Sequence, residues 1–291
     1  MGMSYRWIGG LLMAASALRL LTAAPPDTQG APATGPATRA AATAPALQGL
    51  RDPAKKDIAM QLVSAAENSS LDWKAQYGYI EYNVEGNAQE NRGYTAGIIG
   101  FTSRTHDMLE LVERYERAAP NNALSPYLPA LRKVDGTPAT DGLGKAFEQA
   151  WKKAAGDPKF RTTQDQERDR VYFDPAVNQA LADGLQELGQ FTYYDAIVMH
   201  GPGEDRNSFG GIRKAALAKA QPPARGGDEK AYLAAFLAAR KAAMKSEQGH
   251  QDTSRVDTMQ QKFLKDGNLT LALPLVFKVY GDSYRIAAVR P

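Results

Sequence analysis

The sequence predicts a mainly helical α+β domain that carries one small antiparallel β-sheet. Three observations lead to this fold class. Helical patterns of apolar residues follow one another almost without a break from residue 105 to residue 265. A single hairpin pattern of aromatic and β-branched residues lies in the N-terminal third. Hydrophobic residues make up 43% of the 291 residues and cysteine is absent, so the core must be stable without disulfides.

The first 50 residues are predicted to lie outside the folded domain. Residues 1–24 read as a secretory signal peptide, because Arg6 precedes an apolar stretch that is too short to span a membrane and ends before Arg19. Residues 25–50 are rich in Pro, Ala and Thr, which predicts a flexible linker. Residues 51–291 then form the folded domain. We therefore expect a secreted, extracellular protein with no membrane association.

Composition excludes several classes of function. The formal net charge is +3, and the domain itself is near neutral, because residues 1–46 contain three arginines and one aspartate. This balance argues against a nucleic-acid partner. The three histidines are far apart in sequence and there is no cysteine, so no metal site is predicted. No P-loop, dinucleotide-binding fingerprint or nucleophile elbow occurs, and no cofactor is expected.

The first predicted helix begins at Asp52-Pro53, where Asp52 is a suitable N-cap and Pro53 fits the first turn. Apolar residues then recur at helical spacing, and turn-forming residues end the helix near residues 67–70. Glu67 therefore lies at the helix C-terminus, where the helix dipole disfavours a negative charge. Leu71 and Trp73 follow closely in the sequence and are expected to desolvate it further. A solvated glutamate at the end of a helix is the alternative interpretation.

Residues 77–84 and 92–101 form the hairpin pattern, which acidic residues surround. These acidic residues are Glu81, Glu85, Glu90 and Asp107. A carboxylate on a hairpin that faces a carboxylate at a helix end is the arrangement used in glycoside hydrolysis. The alternatives are a soluble hairpin tip or a site for a cationic ligand. Further helices are predicted at roughly 105–118, 124–134, 142–154, 158–170, 174–188, 191–200, 209–220, 228–246 and 251–265.

Several long motifs resemble those of the chitosanases of glycoside hydrolase family 46. They are AENSSLDWKAQY (66–77), RGYTAGIIGF (92–101), DMLELV (107–112), ERDRVYFDP (167–175), YYDAIVMHGPG (193–203), SFGGIRK (208–214) and DTSRVD (252–257). The resemblance spans residues 51–286 in one collinear order. It implies a lysozyme-like, two-lobed fold with a substrate cleft between the lobes. It also implies endo-acting, inverting hydrolysis of chitosan to chito-oligosaccharides.

The resemblance assigns roles to individual residues. Glu67 matches the general acid, and Thr95 matches the threonine that positions the attacking water. The base of the family is an aspartate, for which this chain has a glutamate: Glu90 when counted back from Arg92, Glu85 when counted forward from Tyr77. Glu90 is favoured because its distance to the second strand is unchanged. The substrate contacts of the family match Glu81, Arg92, Asp107, Glu247 and His250, whereas one aspartate contact is replaced by Gln251.

Three charged residues lie among apolar residues of predicted helices: Asp195, Arg240 and Arg255. Charges in such surroundings are usually paired. The resemblance implies one network in which Arg255 also reaches Glu67, whereas solvated arginines are the alternative. Two other functions remain open, a peptidoglycan hydrolase on the same fold and a non-catalytic protein that binds polycations or glycans. The expected partners are chitosan and its oligosaccharides, and the protein is expected to be a monomer.

Overall fold

The computed structural model describes residues 49–83, 93–247 and 251–288. The predicted signal peptide and nearly all of the predicted linker lie outside these ranges. Four of the predicted site residues also lie outside them: Glu85, Glu90, Arg92 and His250. The described chain begins with a 3-10 turn at Gly49–Arg51, in which Leu50 is fully buried. The Leu50 N–H donates to Oε1 of Gln190 at 2.8 Å, so packing starts with these first residues.

Helices dominate the described residues. The α-helices are α1 (Pro53–Asn68), α2 (Asp107–Ala118), α3 (Leu128–Val134), α4 (Lys145–Ala154), α5 (Pro158–Arg168), α6 (Asp174–Ala182), α7 (Glu187–His200), α8 (Phe209–Leu217), α9 (Glu229–Ser246) and α10 (Gln261–Lys265). Shorter helical segments are a 3-10 helix at Trp73–Gly78 and π-helical turns at Asp169–Phe173 and Arg255–Gln260. The strands are β1 (Ile80–Tyr82), β2 (Tyr94–Ala96), β3 (Phe101–Thr102), β4 (Leu275–Val279) and β5 (Asp282–Ile286). The prediction of a mainly helical α+β domain is confirmed.

Helix α1 forms where the sequence predicts it. Oδ1 of Asp52 accepts hydrogen bonds from the N–H groups of Ala54 and Lys55, which caps the first turn. Ser69 ends the helix because it adopts a left-handed conformation with φ of 50°. Its N–H closes the helix by donating to the carbonyl of Ser64. These two caps fix the end of the helix immediately after Glu67.

The elements form two packed groups. Helices α2 to α5 pack together and against the sheet β1–β2–β3. Helix α1 packs on α7, and α6 to α10 follow as neighbours, with β4 against the π-helical turn at Arg255–Gln260. The 3-10 helix Trp73–Gly78 contacts both α1 and α4, and the turn Asp169–Phe173 contacts α5, α6 and α7. These two segments therefore connect the groups.

The second sheet was missed in the sequence analysis. Strands β4 and β5 pair antiparallel through a two-residue turn at Tyr280-Gly281. Buried and exposed residues alternate along β4, which is the period-2 pattern of a half-buried strand. The signal was thus present in the run LVFKV but was short and stood next to long helices. The expectation of a single small sheet is corrected to one three-stranded and one two-stranded sheet within the described residues.

The predicted helix at 174–188 is interrupted. Helix α6 ends at Ala182 and α7 begins at Glu187, four residues before the predicted start of the next helix. Gly184 lies between them with φ of +77°, a conformation that glycine adopts without steric cost. The earlier start of α7 extends the helix that carries Asp195.

Candidate active site

Glu67 lies in the last turn of α1 and is only 2% exposed. Its Oε1 contacts Nη1 of Arg255 at 2.5 Å. Arg255 is fully buried at the start of a π-helical turn that follows α9 in the chain. A carboxylate that is almost sealed from water is therefore held by a guanidinium from a distant part of the sequence.

Asp195 on α7 fixes the position of Arg255. Nε and Nη2 of Arg255 both donate to Oδ1 of Asp195, at 3.1 and 2.6 Å. Nη1 of Arg240 donates to Oδ2 at 2.6 Å, and Nε2 of Gln260 donates to the same oxygen at 2.6 Å. Asp195, Arg240, Arg255 and Gln260 all have no exposed surface. The structure thus brings together the three charged residues that the sequence analysis singled out and adds Gln260.

The charges of this cluster compensate one another. Burial by itself would raise the pKa of Asp195, but the positive charges of Arg255 and Arg240 outweigh burial and lower the pKa to about 2. Burial would lower the pKa of Arg255, and the carboxylates of Asp195 and Glu67 instead raise it well above its usual range. Arg255 therefore remains a fixed positive charge beside Glu67.

The expectation that Trp73 desolvates Glu67 is wrong. Nε1 of Trp73 donates to Oδ1 of Asp57 at 2.9 Å. Asp57 lies ten residues before Glu67 in α1, about 15 Å along the helix axis. The guanidinium of Arg168 lies over the indole ring, 5.6 Å from its centroid. Trp73 therefore packs against the N-terminal half of the helix and leaves Glu67 to other neighbours.

The three-stranded sheet aligns further candidate residues in one cross-strand row. Glu81 on β1 pairs with Thr95 on β2, and Thr95 pairs with Thr102 on β3. Directly opposed residues of neighbouring strands point to the same face of a sheet. The hydroxyl of Tyr79 donates to Oε2 of Glu81 at 2.9 Å. Oγ1 of Thr95 is buried and has no hydrogen-bond partner among the described residues.

Asp107, the first residue of α2, is tied to the end of this row. Its Oδ1 accepts hydrogen bonds from the N–H of Thr102 at 2.9 Å, the hydroxyl of Thr105 at 2.7 Å and the N–H of Met108 at 3.1 Å. Its Oδ2 has no hydrogen-bond partner within the described ranges. Burial raises the pKa of Asp107 to about 6, and the three hydrogen bonds only partly oppose this effect.

Glu247 lies at the C-terminal end of α9, the helix that carries Arg240. It is the C-cap of α9, and its N–H donates to the carbonyl of Met244 at 3.1 Å. Its side chain is partly exposed. Across the described part of the chain, no group of three or more metal-binding side chains is arranged to hold a metal ion. The same residues contain no helix that is both long and apolar enough to cross a membrane.

Comparison with known proteins decides the family. Residues 61–275 match glycosyl hydrolase family 46. A chitosanase of Streptomyces sp. (strain N174) is 60% identical over 267 residues, which cover 92% of this chain and 94% of that protein. A chitosanase of Bacillus subtilis (strain 168) is 37% identical over 231 residues, or 76% of this chain and 80% of that protein. The chain belongs to glycosyl hydrolase family 46.

Solved family 46 structures have the same fold. The structure of chitosanase OU01 with substrate is 56% identical, with a TM-score of 0.77 over 82% of this chain and 98% of that one. A complex of a Gynuella sunshinyii family 46 chitosanase with chitotetraose is 35% identical, with a TM-score of 0.72 over 80% and 98% of the two chains. These matches confirm the predicted lysozyme-like fold and show that the chain is a glycoside hydrolase.

Sequence reasoning missed two residues near the family 46 candidate acid. Gln260 completes the hydrogen bonds of Asp195, but a lone glutamine in a helical pattern carries no signal of that role. Tyr280 lies in the turn of the unpredicted hairpin. Burial raises its pKa to about 12, and the charges of Arg255 and Glu67 also act on its hydroxyl. Only recognition of the β4–β5 hairpin would have pointed to this tyrosine.

Proposed function

We propose that this family 46 hydrolase cleaves internal β-1,4 glycosidic bonds of chitosan by an inverting mechanism, with Glu67 as the general acid. The observation that carries the proposal is the buried contact between Glu67 and Arg255, because Arg255 is itself fixed by Asp195. An acid that works in one step must be held in one orientation toward the bond it protonates. The names of the relatives, chitosanases in each case, support the substrate.

The reaction uses two carboxyl groups and one water molecule. Glu67 gives its proton to the glycosidic oxygen as the bond from that oxygen to the anomeric carbon breaks. A water molecule attacks the opposite face of the anomeric carbon, and the base accepts the proton that the water loses. The two carboxyl groups then stand about 6.5–9.5 Å apart, which leaves room for the water. Arg255 stabilises the negative charge that appears on Glu67 as its proton leaves.

Glu90 is our proposed base, and Glu85 is the alternative. Both residues lie outside the described ranges, in the segment that joins β1 to β2. The preference rests on the short connection from Glu90 to Thr95, the residue proposed to help hold the water. Chitosan has free amines in place of most acetamido groups, so the substrate offers little internal assistance and the enzyme must supply its own base.

Acidic side chains are proposed to recognise the cationic sugars. Glu81 and Asp107 lie at the two ends of the row that passes through Thr95 and Thr102. A carboxylate beside an ammonium group makes a charge-assisted hydrogen bond that an acetamide does not make. Arg92, Glu247 and His250 are the remaining proposed contacts. We also infer that the enzyme is exported through residues 1–24 and acts outside the cell as a monomer.

The experiment that tests the proposal is a reducing-sugar assay on partly acetylated chitosan, with the product anomer followed by NMR. We expect the inverted anomer first, oligosaccharide products, falling activity as acetylation rises, and no activity on peptidoglycan. Glu67→Gln should lower the rate by roughly 10²–10⁴-fold while changing the melting temperature little. A Glu67→Gln enzyme with a tenth of the wild-type rate would contradict the role of Glu67.

Paired variants test the base. Glu90→Gln should lower turnover far more than Glu85→Gln, and each variant serves as the control for the other because both remove one charge from the same segment. If Glu85→Gln is the inactive variant, the base is Glu85. If both variants remain active, the inverting mechanism itself is wrong.

A further inference from the structure

The loop before α2 contains a strained residue, His106, next to Asp107. His106 has φ of 70°, which is uncommon for residues other than glycine, although asparagine, aspartate and histidine adopt it more often than the rest. Its side chain makes no capping hydrogen bond to α2. Such a conformation persists only where neighbouring contacts hold it, and it often marks a functional site. The conformation of His106 therefore depends on its contacts with neighbouring residues.

The end of α3 supplies these contacts. Nδ1 of His106 lies 2.7 Å from Oδ2 of Asp135, the residue that follows the last turn of α3. The next residue, Gly136, donates its N–H to the carbonyl of Ser103 at 3.0 Å. A side chain at Gly136 would lie 2.9 Å from the imidazole ring, so the glycine leaves room for the ring. The end of α3 is thus attached to the loop at two points.

The shape of the same loop decides where Asp107 stands. The hydroxyls of Thr102 and Thr105 lie 2.6 Å apart, and the N–H of Thr105 donates to Oγ1 of Thr102 at 3.1 Å. Thr102 and Thr105 both donate to Oδ1 of Asp107. Residue 106 lies between Thr105 and Asp107, so its left-handed turn is part of the loop in which these donors converge on one oxygen. Oδ1 is thereby occupied, and Oδ2 keeps its acceptor capacity.

We propose that His106 and Asp135 are positioning residues that set the orientation of Asp107 for binding of a cationic amino sugar. The inference rests on the proposed function, because Asp107 is the proposed amine contact. The imidazole and carboxylate hold residue 106 in its left-handed conformation, and the loop then presents Asp107 in one rotamer. Neither residue is proposed to touch the reacting atoms.

The test compares variants of the pair in the full-length enzyme. His106→Gly removes the imidazole but accepts the positive φ, and Asp135→Ala removes the carboxylate. Each should raise KM for fully deacetylated chitosan by roughly threefold to fivefold, the upper range for a pair in which the imidazole is 61% exposed, with kcat within about 1.5-fold of wild type. Asp135→Asn keeps an oxygen acceptor and should restore most of the affinity. The double variant His106→Gly/Asp135→Ala should be no worse than either single variant, because both remove one interaction.

Glu113→Gln is the matched control. Glu113 on α2 pairs with Arg132 on α3 at 3.0 Å, so this pair joins the same two helices away from Asp107. A KM increase of equal size in Glu113→Gln would mean that packing of α3 is what matters, and the proposal would be wrong. An unchanged KM in His106→Gly or Asp135→Ala, or additive effects in the double variant, would also overturn it.

A binding measurement separates this inference from the proposed function. Calorimetry with a glucosamine hexamer is performed on Glu67→Gln protein, with and without His106→Gly. Weaker binding by Glu67→Gln/His106→Gly than by Glu67→Gln alone supports the positioning role even if the enzyme fails to hydrolyse chitosan. Active hydrolysis by the wild-type enzyme with equal binding in both proteins leaves the function intact and removes the positioning role.

Discussion

Asp107 and Asp195 are two carboxylates that burial affects in the same direction and that end with opposite pKa shifts. Asp195 faces two arginines, and its pKa falls to about 2. Asp107 receives hydrogen bonds from two N–H groups and one hydroxyl, with no cation among those donors, and its pKa rises to about 6. Neutral donors offset only part of the desolvation of a carboxylate, whereas two cations offset all of it.

The comparison separates a structural carboxylate from a binding one. The charges of Arg240 and Arg255 fully compensate the charge of Asp195, so this carboxylate is not available to bind a ligand. The charge of Asp107 is under-compensated, which is costly for the folded protein but leaves a carboxylate that a cationic ligand stabilises. Binding sites often carry such a cost in stability.

Asp195→Asn is expected to cause the largest loss of stability. Removal of this charge leaves Arg240 and Arg255 buried with Glu67 as the remaining carboxylate in contact, and breaking a buried pair costs about 3–5 kcal/mol. The free energy of unfolding, measured in urea, should fall by that amount, and the rate should fall with it because Arg255 loses its support. The control is Asp183→Asn, since Asp183 pairs with Arg213, which is partly exposed. A free energy of unfolding equal to that of wild type for Asp195→Asn would show that this carboxylate does not compensate the two arginines.

The next effect is a loss of stability in acid. Because the pKa of Asp195 is lower in the folded than in the unfolded protein, its contribution is complete above about pH 4. The contribution disappears as the pH falls toward 2, and it amounts to about 2 kcal/mol. Unfolding free energies measured from pH 5 to pH 2 should therefore fall more steeply for wild type than for Asp195→Asn. Parallel curves would mean that Asp195 does not titrate in this window.

Asp107→Asn should change the free energy of unfolding in the opposite direction from Asp195→Asn. The raised pKa means that the unfolded protein ionises first, so the stability contribution of Asp107 is lost as the pH rises from about 4 to 6. The variant should be more stable than wild type by about 3 kcal/mol at pH 7, with almost no gain at pH 4. Its KM for chitosan should increase, because the proposed charge-assisted contact to the amine is lost. A destabilised Asp107→Asn protein at pH 7 would show that Asp107 is compensated after all.

The smallest effect should come from an exposed pair. Lys262 and Asp266 form an ion pair one turn apart on the surface at 2.5 Å, with about half of each side chain exposed. Such pairs contribute about 0.3–0.5 kcal/mol. Asp266→Asn should therefore change the melting temperature by little and leave activity unchanged. A loss as large as that of Asp195→Asn would remove the distinction between buried and exposed carboxylates.

The sequence predicted α1 and its caps well, because Asp52, Pro53 and the turn formers after Glu67 act locally. The motifs likewise pointed to the carboxylates and arginines of the site. The prediction of side-chain neighbours failed where contacts between packed elements determine the position of a side chain. Trp73 follows Glu67 closely in sequence, yet its indole reaches back to Asp57, because the 3-10 helix folds along α1. The β4–β5 hairpin was missed because five-residue strands carry a weak pattern.

Local spacing and residue type were sufficient to predict most helices, the family motifs and the charged residues of the site. Which charges compensate one another depends on the packing of distant segments. Asp195 and Arg255 lie 60 residues apart in the chain and meet at 2.6 Å, whereas the nearest donors to Asp107 come from its own loop. The pKa of a buried carboxylate depends on the charges that folding brings to it, and residue spacing along the chain does not contain that information.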